Sequence, residues 1–235
     1  LQSRIDIDLD DIGVSGYSQG GWVAPLAASI CKEIKYVLIH YGLAVSPAEE
    51  EIAEMKNLLI GAGLSETEQS KALELVRAVI EIADSRLKDG WKTLHSLKKK
   101  YRDTSWIHLF HGTLTGAFIQ YPAWVIKWFA KNRLPRDLSW HHRPGPILEK
   151  LSIPFAWFFA EEDREAPPER SLEIVHRLKE EGKPYRIHLF PSADHNMLTF
   201  TQNEEKRKYT GYAKDYFILM VKEAIAFSRI EHHSR

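Results

Sequence analysis

The sequence predicts an α/β fold: a mostly parallel sheet interrupted by a helical insertion. Three observations carry this expectation. Short apolar runs of strand length alternate with helical patterns at both ends of the chain. The stretch between Ile12 and His40 reads as strand, tight turn, helix, strand, a βαβ unit that implies parallel pairing. Residues 46–140 carry helix signals and no strand pattern, so an insertion sits inside the alternation.

The elements follow in order. Ile12-Gly13-Val14-Ser15-Gly16 is a short buried-strand pattern, and a small-residue helix runs from Trp22 to about Cys31. Tyr36-Val37-Leu38-Ile39-His40 is a β-branched and aromatic strand run. Ser46-Pro47-Ala48-Glu49 and Ser65-Glu66-Thr67-Glu68 are capping boxes, the first with Pro at the opening helical position. Ala72, Val76, Val79, Ala83 and Leu87 then recur at helical spacing until Asp89-Gly90. Residues 121–131 form a third helical segment rich in Trp and Phe. The alternation resumes with a strand at Phe155–Phe159, a helix from Pro167 to about Glu181 closed by Gly182, and a strand at Tyr185–Phe190. A last helix is expected from about Tyr212 to Ser228, before a frayed tail at 231–235. The domain reading is therefore 1–45 with 141–235 as an α/β core, and 46–140 as a helical cap over the sheet.

Composition excludes some functions. The chain of 235 residues is 44% hydrophobic, enough for one good core, and its 32 basic and 32 acidic residues cancel. Balanced charge argues against a nucleic-acid partner, which needs a basic surface. Lys98-Lys99-Lys100 reads as a solvated helix end. The single cysteine, Cys31, cannot form an internal disulfide and is expected in the core. No apolar run reaches the length of a membrane span. Neither compartment nor oligomeric state is written in the sequence.

The chemistry concentrates in three loops. Gly16-Tyr17-Ser18-Gln19-Gly20 fits G-x-S-x-G, a turn that projects its serine above a sheet. Strand and helix nearly touch there, so Gly16 and Gly20 are expected to be small for steric reasons. The helix after the turn aims amides at the site, making the Gln19 N–H a candidate oxyanion donor. A serine hydroxyl needs a general base, and in this architecture acid and histidine follow at later strand ends. Asp163, after the Phe155–Phe159 strand, is the candidate acid; Glu161 and Glu162 compete with it. His195, after the Tyr185–Phe190 strand, is the candidate base. Asp194 is a rival acid in sequence, but adjacent side chains on a loop seldom face one another. His188 is expected to point outward from its strand and His176 from a polar helix face. His108 and His111 have the spacing of helical metal ligands, yet no third ligand is evident and cap packing is the reading taken. Tyr17, His40, Trp124 and Trp128 are candidate walls of a substrate pocket; Trp91, Trp106 and Trp140 could line an apolar acyl pocket with Trp124 and Trp128, while the commoner role of all five tryptophans is to hold a small helical cap together.

Residues 12–29 resemble the elbow and following helix of bacterial α/β hydrolases of the dienelactone-hydrolase and prolyl-oligopeptidase-like group. His40-Tyr41-Gly42-Leu43-Ala44-Val45-Ser46-Pro47-Ala48-Glu49 resembles the strand exit that leads into their cap. Asp163 matches the group's G-x-x-D-x-x-x-P acid loop, with Ala160 in place of the glycine, and His195 matches its P-x-x-x-H loop. The resemblance implies a serine hydrolase with a Ser18–His195–Asp163 triad, no cofactor and no metal. Its substrate would be a small-molecule ester or, alternatively, a short peptide; a non-catalytic binding module is the reading from another class. It also implies four strands and a further oxyanion donor before the elbow. Only the acidic approach Asp6–Asp11 precedes it here, so the chain is expected to be a C-terminal portion with about four main strands.

Overall fold

The computed structural model describes residues 7–8, 11–133, 139–203 and 206–228. The tail at 231–235 and part of the acidic approach at 6–11 lie outside them. The chain divides into two compact units, residues 1–45 with 143–235, and residues 46–142.

The first unit is built on a parallel sheet of four strands in the order β1-β2-β3-β4. They are β1 (Ile12–Tyr17), β2 (Ile34–His40), β3 (Phe155–Ala160) and β4 (Tyr185–Phe190). This is the number of main strands expected. Every residue of β3 is buried, as in a parallel strand covered on both faces. Alternation then sorts the strand into two cores. Phe155, Trp157 and Phe159 pack on one face with Val37, Ile39, Val175 and Leu178. Ala156 and Phe158 pack on the other with Leu38, Tyr216 and Phe227. The helices α1 (Gly20–Ile30), α7 (Gly145–Lys150), α8 (Glu169–Glu180) and α9 (Tyr216–Ser228) flank the sheet. Gly182 closes α8 in the left-handed region, with φ 92°. Among the described residues β1 pairs only with β2 and forms one edge of the sheet.

Two expectations are corrected here. A second, antiparallel sheet, β5 (Ala193–Asp194), β6 (Leu198–Asn203) and β7 (Lys206–Tyr212), follows β4. The last helix therefore begins at Tyr216 rather than Tyr212. Residues 198–212 are mostly polar, so no apolar strand run marks the hairpin; its register comes from cross-strand pairing such as Phe200 with Tyr209. Cys31 is not a core residue. It is the half-buried C-cap of α1, and its thiol donates to Glu33 Oε2 at 3.1 Å.

The second unit is helical: α2 (Pro47–Gly61), α3 (Glu66–Asp84), α4 (Trp91–Tyr101), α5 (Leu114–Gln120) and α6 (Ala123–Arg133), with a short 3-10 turn at Ile107–Phe110. No strand occurs among its described residues. Both capping boxes form, Ser46 with Glu49 and Ser65 with Glu68. Its core joins Met55, Leu59, Leu75, Val79 and Ile82 to Trp106, Phe110 and Phe118. Lys98, Lys99 and Lys100 lie in the last turn of α4, where cations favour the helix dipole.

Candidate active site

Ser18 sits between β1 and α1 with φ 51°, a left-handed conformation that a serine adopts at a cost. The turn is held by its backbone. Ser18 N–H donates to His40 O at 3.0 Å, and Ser18 O accepts from Gly21 N–H at 2.9 Å. A Cβ on Gly16 would lie 2.4 Å from the Gly20 carbonyl oxygen, so strand and helix leave no room for one. Gly20 itself has open space around its Cβ position, which corrects the steric reading of the motif's second glycine. The crowded residue is its neighbour: a Cβ on Gly21 would lie 2.6 Å from Leu43 N. Gln19 is the N-cap residue of α1, and among the described residues its N–H donates no backbone hydrogen bond.

Asp163 and His195 are brought together. Both are buried, and Asp163 Oδ2 lies 2.8 Å from His195 Nδ1. The other carboxylate oxygen, Oδ1, accepts from Glu165 N–H at 3.0 Å and Ala166 N–H at 2.8 Å, which fixes the acid against its own loop. Glu161 and Glu162 are exposed, so the competition within this loop resolves to Asp163 as the partner of the ring. Asp194 faces away from the imidazole. Its Oδ1 accepts the His195 backbone N–H at 2.8 Å, and its Oδ2 pairs with Arg207 and accepts from Tyr209 Oη at 3.1 Å. Burial alone would raise the Asp194 carboxyl above its ordinary value, but the Arg207 contact and the other donors outweigh it and hold the group low.

Ser18 lies at the same sheet edge as this pair. β1 and β2 run in register up to Tyr17 and His40, and the next residue, Tyr41, presents its ring edge-on to the His195 ring at 4.8 Å between centroids. Trp22 Nε1 donates to Val45 O at 2.7 Å and Ala44 N–H to Ser171 Oγ at 2.9 Å, fastening the strand exit after β2. Tyr41 is a site residue that spacing alone did not select, and its only sequence signal is an aromatic one position past a strand end. Burial, then Tyr17, Tyr212 and Asp163, raise its hydroxyl pKa.

The pocket candidates fare differently. His40 is 0% exposed, stacked between Tyr17 at 4.5 Å and Phe158 at 4.6 Å, with Nδ1 hydrogen-bonded to Tyr216 Oη at 2.9 Å. It is a packed residue beneath the site and presents no surface to a ligand. Its Nε2 is buried with no partner among the described residues, and burial lowers its pKa to about 4. Tyr17 is 46% exposed beside the serine. Trp124 and Trp128 belong to α6 of the helical unit, where both are exposed. His188 is half-buried rather than outward: it bonds Glu223 Oε1 at 2.8 Å, and Glu223 also takes Arg186 at 2.5 Å. The rings of His108 and His111 stand 6.5 Å apart, and no cluster of three possible metal ligands occurs among the described residues.

A left-handed serine turn between the first strand and its helix, followed by a carboxylate–histidine pair in two later strand-end loops, is the arrangement that α/β hydrolases of the serine-hydrolase class use. More narrowly, the model of the prolyl oligopeptidase family matches residues 119–219, a span that holds Asp163 and His195 and excludes Ser18. No curated protein sequence matches the chain. Among solved structures it is similar to an acylaminoacyl peptidase of Pyrococcus horikoshii, at 16% identity and TM-score 0.38, over 80% of this chain and 20% of that one. It is also similar to acetyl xylan esterase 1 of Thermoanaerobacterium sp. JW/SL YS485, at 11% identity and TM-score 0.41, over 96% of this chain and 48% of that one. The chain thus spans about a fifth of the peptidase and about half of the esterase.

Proposed function

We propose that the chain carries a Ser18–His195–Asp163 triad and hydrolyses a carboxylic ester of small or medium size. The observation that carries this reading is the buried Asp163–His195 pair, set at the sheet edge where Ser18 is held with φ 51°. In this reading Ser18 Oγ attacks the ester carbonyl carbon while His195 Nε2 takes its proton. The Gln19 N–H donates to the resulting oxyanion, and Asp163 keeps the imidazole in the tautomer that can accept. The alkoxide then leaves with the proton from His195. Water, deprotonated by the same ring, releases the acid and restores the serine. The chemistry calls for neither metal nor cofactor.

Peptide-bond hydrolysis is the second reading, favoured by the match to the prolyl oligopeptidase family. The test uses the full protein chain. A fluorophosphonate probe should label Ser18 and not a Ser18→Ala variant, and a matched ester and anilide of one acyl group should separate ester from amide turnover. Absence of labelling would leave the fold as a binding module.

A further inference from the structure

We infer that Arg207 is a positioning residue: it clamps the acid loop to the histidine loop and cancels the Asp194 charge behind His195. This rests on the triad proposed above. Arg207 lies on β7, in a polar hairpin, yet its side chain is only 9% exposed. Its Nη1 donates to the Glu162 carbonyl at 3.0 Å and pairs with Asp194 Oδ2, while Nη2 stands 3.5 Å from Glu162 Oε2. The guanidinium lies over the Phe200 ring at 4.0 Å. Glu162 immediately precedes Asp163, and Asp194 immediately precedes His195, so one planar cation reaches the neighbour of both proposed partners. The loops are further joined by Glu162 N–H donating to Ala193 O at 2.9 Å.

Stability alone is a poor reason for this arrangement. A buried ion pair gains little over apolar packing, and Arg207 Nε is buried without a partner among the described residues. What the arrangement supplies is geometry and charge. Arginine's rigid fork can bind a carbonyl and a carboxylate at once, which a lysine ammonium does with less reach. The Asp163 carboxylate on Nδ1 and Glu165 Oε2, 3.8 Å from Nε2, face His195, with the Tyr41 ring against its edge. The Asp194 carboxylate lies behind the ring: its Oδ1 accepts the His195 backbone N–H, and its Oδ2 meets, among the described residues, Arg207 and the Tyr209 hydroxyl. With Arg207 gone, the uncancelled carboxylate favours the imidazolium, and the base stays protonated to higher pH.

The experiment measures the rate of Ser18 labelling by a fluorophosphonate from pH 5 to 9 in the full chain. Arg207→Met should slow labelling at pH 7 about tenfold and move the acid limb of the profile upward by about half a pH unit. Arg207→Met combined with Asp194→Asn should return the limb to its original position, since the stray charge is gone. Arg207→Lys, which keeps a cation beside Asp194 and loosens the hold on Glu162, should slow labelling with the limb unmoved; it also serves where the methionine variant fails to fold. A limb unmoved in folded Arg207→Met, or unreturned in the double variant, or an Arg207→Lys rate equal to the parent's, overturns the inference. A parent chain that never labels overturns the triad instead.

Discussion

Replacing His40 with phenylalanine isolates what a buried, half-satisfied imidazole does to the acid stability of the α/β unit. The ring is sandwiched between Tyr17 and Phe158, and burial takes its pKa from the ordinary 6.5 to about 4. The sign follows from proton binding. Between those values the unfolded chain binds a proton that the folded chain refuses, so the stabilisation is fully present above pH 6.5 and is lost as pH falls toward 4. The drop corresponds to about 3 kcal/mol. Phenylalanine keeps a flat ring in the stack and removes the titration, but it strips the buried Tyr216 hydroxyl of its partner, which costs about 1–3 kcal/mol. At pH 7.5 the variant should therefore unfold at lower urea than the parent. On acidification the parent should lose stability faster, with the two curves converging and crossing between pH 6.5 and 4 where the Tyr216 penalty is at the lower end. The assay is a urea titration read by tryptophan fluorescence at half-unit pH steps. Parallel curves for parent and variant across that window would refute the reasoning, since they would mean that His40 titrates alike in both states.

Three further outcomes follow from the same geometry. Asp163→Asn keeps an oxygen for the Glu165 and Ala166 amides but turns an N–H toward His195 Nδ1, favouring the wrong tautomer; turnover of an aryl ester should fall by about 10⁴ while the melting temperature changes little. Gly16→Ala should unfold or inactivate the chain, because its Cβ would sit 2.4 Å from a carbonyl oxygen, whereas Gly20→Ala should stay within about 0.5 kcal/mol of the parent and keep its labelling rate. Glu51 is buried against Thr115 Oγ1 at 2.9 Å, and burial raises its pKa in spite of that bond; Glu51→Gln should raise the melting temperature of the helical unit at pH 7, with the gain vanishing as pH falls below the ordinary carboxyl value of 4.5.

Much of the fold was legible because its signals are local. The strands at 12–17, 34–40, 155–160 and 185–190 announce themselves as apolar or aromatic runs, and the capping boxes at Ser46 and Ser65 need only residues three apart. Asp163 and His195 were findable for the same reason: each follows a readable strand, and strand ends on one edge of a parallel sheet must converge. What stayed hidden depends on partners distant in sequence. Nothing near Arg207 marks it as buried, since its carbonyl acceptor is at Glu162 and its carboxylate at Asp194. The hairpin that carries it has polar strands whose pairing appears only when they meet. His40 reads locally as a polar residue closing a strand, and only the rings of Tyr17 and Phe158 above and below it make it core. The second glycine of the elbow shows the converse limit. The G-x-S-x-G pattern names Gly20, while the three-dimensional crowding falls on Gly16 and Gly21, because the helix turns Gly21 toward the Gly42–Leu43 backbone and leaves the Gly20 Cβ position open. A motif records which residues recur, whereas space decides which of them the fold requires, and the alanine pair at positions 16 and 20 separates the two.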